Sequence, residues 1–519
     1  MPERRLIRTT PRFGYLAWVI PGLLYVAIIS YISSTQYQIG GRGIETDFYW
    51  DYAPAADDIL DGKFPIDHLH FRGPGYPLAL ASFGWLGDTF LAGKTVSILS
   101  AGLVVMLFGY LLTKRFGYLF GLIGVCGLIA NGVFLEYSIR VGSDMFFLML
   151  NLLVVTLLTL KKSLKVALSV GFIAALAYLT RYNGVAMIAL VCCWIVVILV
   201  QKVPGYKHYS LAAISSMMIL VFSWLFLYFE HSDPNQPISN LSNVFYEIEA
   251  TADVNWDKYW YGNANKSTES PRQISVPNLI IAIKYALGNI YHNFRDDMEL
   301  VNGDTLTVMA LAGIVVLVFG QISVGVWGWG LVAGIFNYII LLFIFHSPRF
   351  SLCLLPMYIV CALFFFDWMR SKLINFSQFT EYGIVFIILI LFFNDPPPQT
   401  WRKTLNRFDQ SQNYLIQFSD QIKANHLESG RLAARKPHLA YLLDLPFSAL
   451  PILRNTDELL DWMKANNISY LFLDLHGAYV RPGIAGLLGK DKHINGLQLV
   501  SSHNKSPKAA FWRLQNTKN

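Results

Sequence analysis

The chain has 519 residues, 54% hydrophobic and only 14% charged, with a mean hydropathy of +0.42. Soluble domains carry about 25% charged residues, so this balance argues against a soluble fold. The formal charge of +7 does not point to nucleic acid, because the Lys and Arg fall in short clusters between apolar runs and not along one polar face.

A helix of roughly 20 apolar residues crosses a hydrocarbon core of about 30 Å. In chain order, runs that suit spans cover 14–34, 95–112, 118–131, 144–160, 166–180, 185–200, 210–228, 304–322, 324–345, 350–370 and 380–394, about eleven in all. Several are short, so tilted or packed neighbours must cover their ends. The N-terminus, MPERRLIRTTPR before the first run, has the look of a signal peptide, but no small-residue cleavage site follows residues 30–36. It is expected to be an uncleaved first span. Cys126, Cys192, Cys193, Cys353 and Cys361 all sit inside apolar runs, as small core residues do, and offer no disulfide or CxxC metal pair.

Orientation follows from Lys and Arg in short loops. With an inside N-terminus, Arg4, Arg5, Arg8, Arg12, Lys114, Arg115, Lys161, Lys162, Lys165, Lys202, Lys207, Arg370 and Lys372 all land in the cytoplasm. The outer side then receives 35–94, 132–143, Arg181-Tyr182-Asn183, 229–303, His346-Ser347-Pro348-Arg349 and everything after Asn394. Large outer segments and minimal inner loops favour chemistry on the outer face of a cell (inner) membrane. Residues 54–60 and 76–85 suit short interfacial helices, and 229–303, rich in aromatics as at Trp256 to Tyr261, suits an interfacial wall. Beyond the Asp395-Pro396-Pro397-Pro398 breaker, strand-like Tyr470-Leu471-Phe472-Leu473 alternates with helical stretches such as 457–466, an α/β pattern. The expected organisation is a membrane module over 1–394 and an extracytoplasmic domain over 395–519. No repeats are visible, and the Asn-X-Ser sequons at Asn265, Asn467 and Asn504 carry no weight.

The first outer loop holds Glu45-Thr46-Asp47-Phe48-Tyr49-Trp50-Asp51-Tyr52, then Asp57-Asp58-Ile59-Leu60-Asp61-Gly62, then Phe71-Arg72-Gly73-Pro74-Gly75-Tyr76-Pro77. With the topology above, the sequence resembles the GT-C superfamily of polytopic glycosyltransferases that use polyprenyl-phosphate-linked sugars. More closely, it looks like the bacterial relatives of the protein O-mannosyltransferases and of the lipid A aminoarabinose transferases. The resemblance covers about 10–395 and extends loosely into the tail. It implies a GT-C fold, a polyprenyl-phosphate sugar donor, an acceptor of unspecified class, and an inverting transfer.

Transfer of a sugar from a lipid phosphate to a hydroxyl needs a base to take the acceptor proton. The resemblance puts Asp47 in that role, with Glu45 and Asp51 as competitors. The leaving phosphate needs cations, which Arg supplies with a planar fork. Arg72, Arg140, Arg181 and Arg349 fall at outer span ends, either as phosphate ligands or as snorkelling anchors. Asp144 opens a span, where an acid is expensive without a partner or a task. Either it pairs with Arg140 one turn away, or it is the family's second acid, which organises the site and sometimes lies near a divalent metal. His70 and Tyr76 are further candidates for the site, and His68 a weaker one. A transporter or flippase of the same build is the alternative, and it would use charges near the bilayer midplane. A membrane scaffold whose tail binds a partner is a third reading.

Overall fold

The computed structural model describes residues 16–37, 46–69, 73–231, 276–298, 303–320, 323–344, 346–373, 383, 401–406, 413–425, 427–488, 493–494, 496–503 and 508–515. In chain order the bundle contains α1 (Leu16–Gln36), a π-helical turn (Phe48–Tyr52), α2 (Ala53–Leu60), α3 (Ile66–Leu69), α4 (Gly75–Ala81) and α5 (Thr89–Phe116). There follow α6 (Tyr118–Ala130), α7 (Gly132–Ile139), α8 (Ser143–Leu158), α9 (Leu164–Thr180), α10 (Val185–Val200) and α11 (Tyr206–His231). The last bundle elements are α12 (Val276–Asp297), α13 (Gly303–Phe319), α14 (Gly328–Leu341), α15 (Pro348–Ser351) and α16 (Leu355–Leu373). Among the described residues five helices are long and apolar enough to cross a bilayer, six if α6 and α7 form one bent span, and four shorter apolar helices accompany them. The chain is a multi-pass membrane protein. The expected span at 380–394 lies outside the described residues, apart from residue 383.

Exposed Leu23, Leu24, Ile219, Phe222, Phe226, Val315 and Phe319 keep these helices apolar on their outward faces, as lipid-facing surfaces require. Helix ends are set by local chemistry. Asp88 caps α5 by accepting from Phe90 N at 2.9 Å, and Lys114 and Arg115 complement the dipole in its last turn. The Asn131 side chain accepts from Val133 N and Phe134 N at 2.9 and 3.0 Å, starting α7 after a 66° bend. Much of the segment expected as a turn at 132–143 is therefore helix, because Asn131 supplies a cap where the apolar run stops.

The two ends of the bundle differ. At one, Arg115 reaches Asp367 at 3.1 Å and Arg370 reaches the same carboxylate at 2.8 Å. The other gathers the π-turn, α2, α4, α7, the end of α9 and α15. There α2 covers the short helix expected over 54–60 and α4 the first part of that expected over 76–85, with Trp85 just beyond α4 77% exposed.

The tail carries α17 (Asn413–Lys423), α18 (His438–Leu443), α19 (Thr456–Ala465) and α20 (Leu475–Tyr479). These surround a six-stranded sheet of order β2-β1-β3-β6-β5-β4: β1 (Arg431–Ala434), β2 (Phe447–Ala449), β3 (Ile468–Asp474), β4 (His493–Ile494), β5 (Leu497–His503) and β6 (Ala509–Leu514). β1 pairs in parallel with β2 and β3, and the remaining pairs are antiparallel. Along β3, Leu471 and Leu473 join one core with Leu459 and Met463, while Tyr470 and Phe472 join another with Phe418 and Leu439. Both faces are covered, which explains the continuous apolar run. The tail docks on the bundle through Trp401, whose Nε1 donates to Ile129 O at 3.1 Å, and through α18, where the rings of His438 and Tyr441 each lie 4.8 Å from Tyr49.

Candidate active site

Four charged side chains from separate elements meet at the end of the bundle that carries α2 and α4. Asp144 is the second residue of α8 and only 6% exposed. Arg181, directly after α9, donates Nη1 to Asp144 Oδ1. Arg349 in α15 donates Nε to both carboxylate oxygens of Asp144, at 2.9 and 3.1 Å. The Nη2 of Arg349 also lies 3.7 Å from Asp47 Oδ2, so a single guanidinium bridges the two acids. The Asp47 side chain keeps 26% of its surface accessible, whereas Asp51 is buried. A carboxylate buried this far is tolerated because its oxygens are met by charged donors.

The backbone brings these groups together by close approach. The Gly73-Pro74-Gly75 turn lies against the end of α9, where a Cβ on Gly73 would stand 2.1 Å from Leu179 O and one on Gly75 2.5 Å from Thr180 Oγ1. Only glycine lets the two backbones touch next to Arg181. Gly73→Ala is expected to lower stability by about 1–3 kcal/mol through overpacking, read as a lower thermal midpoint in detergent; an unchanged midpoint would contradict this contact.

Further polar groups support the cluster. Ser143 Oγ accepts from Arg181 Nη1 at 3.3 Å and lies 3.4 Å from the Tyr52 hydroxyl. Burial pushes the Tyr52 phenol pKa upward, so it stays neutral. Phe350 stacks under both guanidinium groups, 5.3 Å from Arg181 and 5.6 Å from Arg349. Asp144, Arg181, Asn183, Arg349 and Phe350 line a narrow cleft.

The structure thus gathers Asp47, Asp144, Arg181 and Arg349. It corrects the pairing of Asp144 with Arg140: the Arg140 guanidinium is directed to Glu136 at 3.4 Å and the Tyr137 hydroxyl at 3.3 Å. The chain turns extended at Arg140, so the one-turn spacing that an unbroken helix would give is lost. Tyr76 is fully buried behind the site, its ring edge-on to Tyr52 at 5.0 Å. His68 lies 3.4 Å from Asp58. Glu45, His70 and Arg72 fall outside the described residues. Tyr52, Ser143 and Phe350 were missed because small hydroxyls and aromatics beside apolar runs carry no distinctive pattern.

Among the described residues the site offers no ligand set for a divalent ion. Asp144 is occupied by two guanidinium groups and Asp47 faces one of them, so a cation between the acids would meet two positive charges. Among the described residues no three His, Cys, Asp or Glu converge as metal ligands.

Solved structures with the same architecture exist. ArnT from Cupriavidus metallidurans, bound to undecaprenyl phosphate, superposes with a TM-score of 0.57 at 12% identity over 96% of this chain and 98% of that one. The Archaeoglobus fulgidus oligosaccharyltransferase complex with Zn and sulfate gives a TM-score of 0.58 at 12% identity over 88% of this chain and 68% of that one. The chain has the GT-C fold. The same oligosaccharyltransferase tethered to an acceptor peptide containing the NVT sequon gives 0.55 at 10% identity, covering 98% of this chain and 74% of that one. No family model matches the sequence, and no curated protein matches it significantly. With 96% and 98% of this chain covered, the likeness extends through the bundle and into the tail.

Proposed function

We propose that this chain is a glycosyltransferase that moves a sugar from a polyprenyl-phosphate carrier to an acceptor hydroxyl at the outer face of a cell membrane. The observation that carries the reading is the bridge Asp47–Arg349–Asp144–Arg181 at one end of a GT-C fold. Asp47, the more accessible acid, takes the proton of the acceptor hydroxyl as its oxygen attacks the anomeric carbon. The bond from that carbon to the phosphate oxygen breaks, and the configuration inverts in one displacement. The lipid phosphate leaves with an added negative charge, which Arg349 and Arg181 stabilise while Asp144 holds both in place. Arg140 adds positive charge within electrostatic reach of Asp144. Arg72 is a fourth candidate for the phosphate, and Glu45, His70 and Tyr76 remain candidates for the rim or second layer of the site.

Arg115 and Arg370 lie at the opposite end, and the Lys and Arg clusters of the sequence support a cytoplasmic N-terminus, with the site and the 395–519 domain on the outer side in this reading. A transporter reading is not favoured: the charged cluster gathers at one end of the bundle, and Asn151 and Asn337, which hydrogen-bond at 3.4 Å between α8 and α14, are a buried pair without charge. Incubating the purified protein with polyprenyl-phosphate hexoses and pentoses and a cell-envelope extract as the source of acceptor hydroxyls, with mass spectrometry of the lipids, tests the reading. Conversion of one donor to free polyprenyl phosphate is expected, and inertness to all of them would oppose it. Because the two acids are already neutralised by arginine, EDTA is expected to leave turnover within about twofold, since full loss of a required metal ligand or ion costs far more; abolition by EDTA with rescue by a divalent ion would contradict the metal-free site.

A further inference from the structure

Behind Phe350 lies a second polar cluster that the proposed reaction does not use. Asp297, the last residue of α12, is 1% exposed. Its Oδ2 accepts from the Tyr358 hydroxyl of α16 at 2.7 Å, and its Oδ1 lies 2.7 Å from His346 Nε2. The same ring nitrogen lies 3.4 Å from Ser351 Oγ, so the imidazole folds back over α15. The cluster continues along one face of α12 at intervals of four: Asn293 Nδ2 donates to Leu341 O at 3.1 Å, and Asn289 Nδ2 to Leu342 O at 2.9 Å. Side chains at i, i+4 and i+8 share a helix face. The other face exposes Ile280, Ile283, Leu287 and Tyr291. α12 therefore turns an apolar face outward and a polar row to the corner where α14 ends and α15 begins.

Arg349 stands on that corner, three residues after His346. Asn293, Asp297, His346 and Ser351 line a narrow crevice with Phe350, and Phe350 also lines the cleft holding Asp144, Arg181 and Arg349. One aromatic ring thus has the guanidinium stack on one side and the Asp297–His346 pair on the other. A buried carboxylate–imidazole pair is weak evidence for stability, since apolar packing of equal volume often serves as well. Its place at the corner supplies another reason for it. We propose that Asp297 and His346, anchored by Tyr358, are positioning residues that hold the α15 corner so that the Arg349 fork meets the donor phosphate. The proposal rests on the glycosyltransferase reading.

The test uses the full chain in lipid nanodiscs, titrated with polyprenyl phosphate by native mass spectrometry and assayed with the polyprenyl-phosphate sugar that it turns over. His346→Leu keeps bulk but loses the bond to Asp297; it is expected to weaken polyprenyl phosphate binding and raise the donor KM about tenfold, with kcat within about threefold. His346→Gln, whose amide can donate to the same oxygen, is expected to restore both values to within about threefold of wild type. If His346→Leu does not fold, as its thermal midpoint would reveal, Tyr358→Phe is read in its place, with a KM increase of about threefold expected. Unchanged polyprenyl phosphate binding in these variants, or a Gln variant no better than Leu, overturns the positioning role and leaves phosphate recognition standing. A wild-type chain that binds polyprenyl phosphate no better than the uncharged polyprenol overturns both.

Discussion

Asp47→Asn is expected to reduce sugar transfer by about 10²–10⁴-fold while donor binding stays within about threefold. The asparagine keeps the size of the side chain and a contact to Arg349, but it cannot take a proton from the acceptor. The carboxylate stands 3.7 Å from Arg349 Nη2 and is partly accessible, so an acceptor hydroxyl can reach it. Asp144 is a poor alternative base, because two guanidinium groups already occupy its oxygens. Asp51 is buried in the π-turn, so Asp51→Asn is expected to act on stability instead. Single-turnover rates for a folded Asp47→Asn protein decide the matter, and a rate near wild type would exclude Asp47 as the base.

Arg349→Ala is expected to weaken donor binding and lower transfer together, by about 10–100-fold in affinity, since a charge-assisted hydrogen bond contributes about 1.5–3 kcal/mol. The loss has two parts. The phosphate loses a donor, and Asp144 is left with Arg181 as its single described cationic partner at hydrogen-bond distance. Arg349→Lys separates these parts, because an ammonium restores the charge but cannot bridge Asp47 and Asp144 as a planar fork does. Partial recovery, to within about tenfold of wild type, is expected for Lys. Full recovery would mean that only net charge matters there, and equal donor affinity in wild type and Arg349→Ala would remove Arg349 from the phosphate site.

Much of this site was legible because polar groups next to hydrocarbon stand out. Asp144 opening a span, and Arg181 and Arg349 at span ends on the side where arginine is uncommon, each required a reason. Their partners were not legible, because 205 residues separate Asp144 from Arg349 in sequence and the bridge exists only after α8, α9 and α15 pack. The one pair that local spacing suggested, Arg140 with Asp144, failed because the backbone leaves the helix between them. Asp297 was hidden by its neighbours: Arg295-Asp296-Asp297 reads as a solvated charge run, yet the Asn289, Asn293, Asp297 spacing marks a polar face and could have exposed it. In the tail, Tyr470 to Leu473 announced a strand, but the mixed sheet order depends on pairings far apart in the chain that periodicity does not encode.

The contact between α18 and the residues after Asp47 was also beyond sequence reading. Tyr49 meets His438 and Tyr441, and Trp50 meets Phe447 at 5.1 Å. The tail therefore touches the loop that carries Asp47, which links it more closely to the site than a cap over the outer surface would be.

On this reading the Asp47, Asp144, Arg181 and Arg349 cluster recognises a lipid-linked phosphate. Native mass spectrometry of the wild-type protein and the Arg181→Ala, Arg349→Ala double variant, each offered polyprenyl phosphate and polyprenol of equal length, tests it most directly. Wild type is expected to retain the phosphate lipid in clear preference to the alcohol, and the double variant to lose this preference while still binding the alcohol. Equal retention of both lipids by the wild-type protein would contradict it.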